Sequence, residues 1–396
     1  MVFSKEELQK LKEAYTAYLF DDFLPFMDTY VVDHDHGGFM CNADWSGRRL
    51  SDQKRAWYDG RGIWVYSYLY KNFGRNNAHL EIAKKTVDLV LNLEPKSNKF
   101  WPWGYSRRGE MVADQEPDIY GSLFVAEGLA MYASATGKME YWDKAKSIAL
   151  DCLTAYDRGD YNYVPHYQSS ASLVKAPRVL GHWMVFLRLT TQMLNVKNDS
   201  DLLELSDRCI VALLEEHLNP DFNLLNEYLG HDFERPNDEI SQFVYIGHGI
   251  EVLWMIMDEA VRRNDDSLFD RGSQLFKRHV EVAWDDVFGG VFHNLENVEK
   301  YQWELDKVLW AQEEVLIGTM MLITERNDPW AVHWFSKMYD YVIDHFSLKP
   351  HGYDLWNIGS DRKMTFIDNG ERIENYHHPR HLMLNIERLH TILSNF

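Results

Sequence analysis

A histidine and a glutamate three residues apart, His248 and Glu251, stand within an otherwise apolar run from Phe243 to Met257. That spacing places both side chains on one face of a helix. A helix apolar nearly all the way round is buried on every side. An acid/base pair at the start of such a helix suits proton transfer, because histidine titrates near neutrality. Glu251, one turn from His248, is expected to fix the tautomer of the imidazole and raise its basicity. For one isolated histidine, a satisfied core position is the plainer reading. Recurrence argues against it. Pairs of glycine and a polar residue open alternate helical stretches: Gly60-Arg61, Gly121-Ser122, Gly181-His182 and Gly247-His248. Further steps of similar size reach Trp310 and His377, so successive members lie 61, 60, 66, 62 and 67 residues apart. Capping alone would favour serine or aspartate at these places. An arginine among histidines adds a fixed charge and a fork of donors that stabilise an oxyanion.

The elements that must position these groups read as helix after helix with short polar breaks. Ser4, with Glu7 three residues on, marks the start of a first helix over 5–27. Helical patterns follow near 58–73, 77–93, 119–136, 139–156, 179–196, 199–217, 241–263, 266–284, 307–324, 329–346 and 378–393. Six of these are the more apolar, and they alternate with more charged partners. A repeat of about 60 residues built on such pairs predicts an all-α (α/α)6 toroid, a single domain over 1–396 with short β-hairpin insertions. Its inner helices run parallel, so Arg61, His182, His248, Glu251, Trp310, Glu314 and His377 gather at one end of the axis. The pattern places His248 and His377 two helices apart, with Arg61 between them. A solenoid with polar helix starts is the alternative. Gly37-Gly38-Phe39, Gly289-Gly290-Val291 and His351-Gly352-Tyr353 suggest a repeated turn after the helices that precede them.

A net charge of -20 argues against nucleic acid and anionic membrane surfaces as partners. The stretch Met1 to Glu7 lacks a basic region followed by an apolar one, and no run is long enough to span a bilayer. Cys41, Cys152 and Cys209, odd in number and far apart, fit reduced thiols in the cytoplasm. Aromatic residues at 14%, with 14 Trp, suit a pocket that stacks on sugar rings. There is no Gly-x-Ser-x-Gly elbow and no phosphate loop. His377, His378 and His381 sit close together, and His34 and His36 form another pair, but a His-x-x-x-His turn without the intervening glutamate is weak evidence for zinc, and His-x-His in a turn is weaker still. No metal and no cofactor is assigned to the chemistry. The ligand is a small molecule, and a homodimer stays open.

Trp57-Tyr58-Asp59-Gly60-Arg61-Gly62-Ile63-Trp64 resembles the Gly-Arg-x-x-Trp segment of the N-acylglucosamine 2-epimerase family. Leu180-Gly181-His182-Trp183-Met184 and Ile246-Gly247-His248-Gly249-Ile250-Glu251 are similar to its second and third signatures. Leu309-Trp310-Ala311-Gln312-Glu313-Glu314 resembles its Trp-x-Gln-x-Glu stretch, and His377-His378-Pro379-Arg380 its C-terminal His-x-Pro-Arg. The resemblance runs through nearly the whole chain in order. It implies an (α/α)6 barrel that inverts C2 of a reducing hexose, N-acylated or free, by removing and returning a proton without a cofactor. On that resemblance His248 and His377 are the acid/base pair on opposite faces of the open-chain sugar. Arg61 stabilises the enediolate, and His182 assists ring opening or holds O1. Trp310, Trp254, Trp64, Glu314 and Arg380 contact the sugar.

Residues 370–375 lack the aromatic and the lysine of the N-acylglucosamine and cellobiose enzymes, which changes the pocket wall but not the chemistry. The resemblance also admits an aldose–ketose isomerase, which returns the proton to C1, and a renin-binding type of protein without catalysis. A glycoside hydrolase would need two carboxylates across the scissile bond, and this set is richer in histidine.

Overall fold

Ser4 starts the first helix as its spacing to Glu7 predicts. Its hydroxyl accepts from the Glu7 amide, and the Glu7 carboxylate accepts from the Ser4 amide. In the computed structural model of the protein, residues 3–95, 100–112, 118–163, 177–235, 242–360 and 371–395 are described. Residue 241, where one helix was expected to begin, and Gly370 lie outside them, as do Met1 and Val2.

Twelve long helices are found among the described residues. Helix α1 (Lys5–Ala17) runs on through π-helical turns to Val31. Then come α2 (Ala56–Asn72), α3 (Asn77–Asn92), α4 (Ile119–Thr136), α5 (Met139–Tyr156), α6 (Leu180–Val196) and α7 (Ser200–Val211). They are followed by α8 (Ile246–Arg263), α9 (Asp266–Ala283), α10 (Leu309–Arg326), α11 (Pro329–Phe346) and α12 (His377–Ser394). The even-numbered helices contact one another in order, and α12 returns to α2, so the inner ring is closed. Each odd-numbered helix lies outside on its inner neighbour, with α1 packed on α12. This is an (α/α)6 toroid.

Sequence explains which helix goes where. In α3 the buried positions, Ile82, Ala83, Thr86, Val87, Leu89 and Val90, form one stripe, as on an outer helix. In α4 every residue but Ser134 and Thr136 is buried, which requires neighbours on all sides. The glycines before the polar positions have a packing reason. A Cβ on Gly247 would lie 2.2 Å from the Trp310 ring, and one on Gly181 3.0 Å from the His248 ring. Each glycine makes room for the site residue of the next inner helix.

Helix entry differs between the rings. Side chains of Ser4, Asn76, Asp199, Asp265 and Asp328 cap outer helices. Among the inner helices only α4 has such a cap, Asp118. Helices α2, α6, α8 and α10 are entered from extended chain. Phe243 to Tyr245 were expected to be helical, yet Val244 and Tyr245 pair with Leu295 and Asn294 as a short strand. β-Branched and aromatic residues suit that conformation, and α8 begins only at Ile246.

The three glycine turns each follow an outer helix and are closed by the bridges Val32–Phe39, Trp284–Val291 and Ser347–Trp356. Two share a lysine clasp. Lys54 Nζ donates to Asp33 Oδ2 at 2.8 Å and to the Gly37 carbonyl, and Lys307 does the same with Asp285 and Gly289. Gly37, Gly38, Gly289 and Gly290 have φ of 75° to 81°, where a side chain would be strained. His34 and His36 are exposed on this turn, and His34 Nε2 lies 2.6 Å from the Asp28 carbonyl. No described helix is long and apolar enough to cross a membrane. Cys41, Cys152 and Cys209 are buried free thiols.

Candidate active site

Extended chain feeding α8 brings His248 to the end of the axis with its Nδ1 toward Glu227, 3.0 and 3.1 Å from the two carboxylate oxygens. Glu227 is wholly buried, and its backbone is tied to both neighbouring inner strands. Its carbonyl accepts from the Leu180 amide, and its own amide donates to the Phe243 carbonyl. The carboxylate partner of the His248 imidazole is thus Glu227, not Glu251. A carboxylate on Nδ1 fixes the tautomer with Nε2 free and would stabilise a positive charge on the ring. The signal of Glu227 in the sequence was a glutamate embedded in an extended apolar run, Leu224-Leu225-Asn226-Glu227-Tyr228-Leu229. Glu227→Gln should lower kcat by about 10²-fold with little change in KM, because an amide can donate to Nδ1 and select the wrong tautomer. An unchanged kcat would remove Glu227 from the mechanism.

Glu251 reaches a different partner. Arg380, wholly buried on α12, donates to Glu251 Oε1 at 2.6 Å and to Glu314 Oε1 at 2.5 Å. The guanidinium draws the carboxylate away from His248 because two charged partners gain more than a neutral ring offers. His377 Nδ1 lies 2.9 Å from the same Glu314 oxygen, and the Trp254 indole donates to the other at 2.7 Å. Burial pushes the His377 imidazole down to about 3, against the pull of Glu251, so the ring is neutral near pH 7. Glu314, Arg380 and Trp254 thus support His377 from behind. All three are buried, and the polar groups of Trp254 and Arg380 are turned to the Glu314 carboxylate.

The ring order also corrects the expected arrangement. Trp310, half-buried, stands between the two histidines, with ring centroids 5.8 Å from His248 and 5.2 Å from His377. Arg61 lies beyond His377, because α2 follows α12 around the ring. Its guanidinium rests against Phe124 at 4.1 Å, Tyr376 at 4.8 Å and Trp57 at 5.2 Å, and its Nε has no hydrogen-bond partner. An aromatic cage holds the cation in place, and Arg61 makes no ion pair among the described residues, although the Glu374 carboxylate is near enough to feel its charge. Glu374 stands nearby. Burial would raise its carboxyl, but Arg372, His377 and Arg61 hold it at about 2.

His182 is buried at the start of α6 under Tyr163, 4.6 Å between ring centroids, with Tyr120, Tyr156 and Tyr161 around it. Burial, then the charge of His248, pushes it down to about 3, and neither ring nitrogen has a partner among the described residues. Trp64 is placed away from the histidines. Its indole donates to Gln192, and it lines a separate cavity of about 360 Å³ with Arg188, Asp258 and Glu387, toward the opposite helix ends. Trp64 lies near the first turn in sequence, but a helix of 1.5 Å rise per residue carries it below Arg61. His378 turns outward to Phe23 and Trp356, so the structure separates it from His377.

The chain and known proteins agree with this architecture. The sequence model of the family described as N-acylglucosamine 2-epimerase (GlcNAc 2-epimerase) matches residues 37–377. The N-acylglucosamine 2-epimerase of Mus musculus is 24% identical over 396 residues, covering 96% of this chain and 92% of the mouse protein. The solved cellobiose 2-epimerase from Bacillus thermoamylovorans B4167 superposes with a TM-score of 0.84 at 18% identity, covering 96% of this chain and all of that one. A solved D-mannose isomerase gives a TM-score of 0.77 at 15% identity, covering 99% and 98% of the two chains. The chain belongs to the N-acylglucosamine 2-epimerase family, a family of carbohydrate epimerases.

Proposed function

We propose that this protein inverts C2 of a reducing hexose, free or N-acylated, by proton transfer through an enediolate. The observation that carries the reading is a pair of imidazoles flanking one tryptophan, His248 and His377, each backed by a buried carboxylate, Glu227 and Glu314. A C–H beside a carbonyl is a weak acid, so removing its proton needs a positioned base and charge stabilisation on oxygen. Inversion needs a proton donor on the other face. His248 and His377 take these two roles in turn, and Trp310 is the platform on which the open-chain sugar lies. Arg61 meets the enediolate oxygen with its positive charge. The starts of α2, α6, α8 and α10, which lack a side-chain cap, add positive potential at the same end. His182, neutral and unpartnered, holds O1 or assists ring opening.

Mannose or glucose, or their N-acylated amino counterparts, fit this chemistry equally, and Arg372 and Glu374 beside Arg61 choose among them. The same reading places the protein in the cytoplasm, where the three thiols stay reduced. Reaction in heavy water tests the function. With His248 and His377 on opposite faces of C2, the epimeric aldose gains deuterium at C2. Ketose as the accumulating product, with label confined to C1, would replace the epimerase by an aldose–ketose isomerase. A hydride shift incorporates no label at all. Proton resonance at C1 and C2 on each hexose that turns over distinguishes the three.

A further inference from the structure

Glu313 is wholly buried and, among the described residues, has no lysine or arginine ion pair. Its Oε1 lies 2.5 Å from His378 Nδ1 and 3.3 Å from His381 Nδ1, the latter in a geometry that makes no hydrogen bond. Its Oε2 has no partner among the described residues. The cluster one residue along is a useful contrast. There Glu251, Glu314 and His377 also converge, but the Arg380 guanidinium bonds both carboxylates. Glu313 lacks that cation. A buried carboxylate without a counter-charge is costly, so either a proton on Glu313 itself or a cation beside it must neutralise it.

We propose that Glu313, His378 and His381 bind one divalent transition-metal ion of the zinc class, as a structural clamp outside the sugar site. Two imidazoles and one carboxylate are a donor set that such ions favour over calcium or magnesium. Metal–ligand bonds of about 2.0–2.2 Å in a tetrahedral set hold donor atoms about 3.3 Å apart. His381 and Glu313 already have that separation, and His378 needs to withdraw by less than about 1 Å. His381 has an outer partner as well: Tyr15 Oη lies 2.8 Å from its Nε2, and Asn385 Nδ2 donates to the same hydroxyl. With Nε2–H donated to Tyr15, the Nδ1 lone pair points at Glu313, as a metal ligand requires. Phe23 and Trp356 wall off His378, which also borders a cavity of about 10 Å³, room for one water. The three ligands join α10 to α12, and Tyr15 brings in α1. The clamp therefore sits where the first outer helix meets the last inner one, at the seam that closes the ring. The chemistry at His248 and His377 does not pass through it.

The test strips the protein with a chelator and titrates it with zinc chloride, reading binding by calorimetry and melting temperature by scanning. One equivalent per chain and a rise of about 3 °C or more in zinc excess are expected. Glu313→Gln, close to isosteric, and His378→Asn should each lose both responses, and the second keeps the test alive if the first does not fold. No zinc uptake by the parent protein would show that a proton alone balances Glu313 and would overturn the proposal. Equal uptake by parent and both variants would place the metal elsewhere. Turnover on a hexose should persist after chelation, and its loss would move the metal into the chemistry and overturn the structural role.

Discussion

Replacing His377 by Asn should lower turnover by about 10² to 10⁴ while the melting temperature stays near that of the parent. His378→Asn, assayed without added metal, should keep most of the turnover. Sequence alone leaves the two neighbours hard to tell apart, since both stand at the start of α12. The structure separates them by direction. Adjacent residues on a helix point about 100° apart, and each imidazole has its own carboxylate, Glu314 for His377 and Glu313 for His378. His377 packs on Trp310 and Tyr376 at the axis, while His378 faces Phe23 and Trp356 on the outer side. Asn keeps a donor toward Glu314, so the buried carboxylate is not orphaned and the fold survives. It cannot take or give a proton. Initial rates with the hexose that turns over, together with a melting curve for each variant, decide the matter. The reverse order of effects would assign the proton transfer to His378 and with it reverse the reading of both clusters.

The ring was legible because its cause is local and repeated. An inner helix must be apolar all round, an outer one only on a stripe, and α4 and α3 show the difference residue by residue. The step of about 60 residues then counted six pairs. His248, His377, Trp310 and Arg61 were legible for the same reason, since each occupies the first turns of an inner helix. What periodicity could not give was partnership between helices. Glu251 lies one turn from His248 along its own helix, which favoured that pairing. The choice was made across the barrel by Arg380, 129 residues away, whose charge offers the carboxylate more than an imidazole does. Glu227 lies on a loop outside the repeat, so no step around the ring leads to it. Arg380 was picked out by the C-terminal His-x-Pro-Arg resemblance, which says nothing of its bonds to Glu251 and Glu314 across the barrel.

Arg380→Met should destabilise the protein by about 3–5 kcal/mol, a larger change than any loss of a sugar contact would produce. The guanidinium has no exposed surface and bonds the carboxylates of Glu251 and Glu314, both of them buried. Methionine fills similar volume with apolar atoms, so the penalty comes from two acids left facing one another without a counter-charge. Glu251→Gln in the Arg380→Met background should recover part of the loss, because it removes one of those acids; the two changes are therefore not additive. A second consequence reaches the chemistry. After burial, which pushes the His377 imidazole down furthest, the positive charge of Arg380 lowers it further. Removing that charge raises the proton affinity of His377, so the acid limb of kcat/KM should move to higher pH. A residue that only touched the sugar would behave otherwise, raising KM and leaving both the denaturation midpoint and the acid limb where they are. Chemical denaturation of the two single variants and the double variant, with a pH profile of each, separates support from contact.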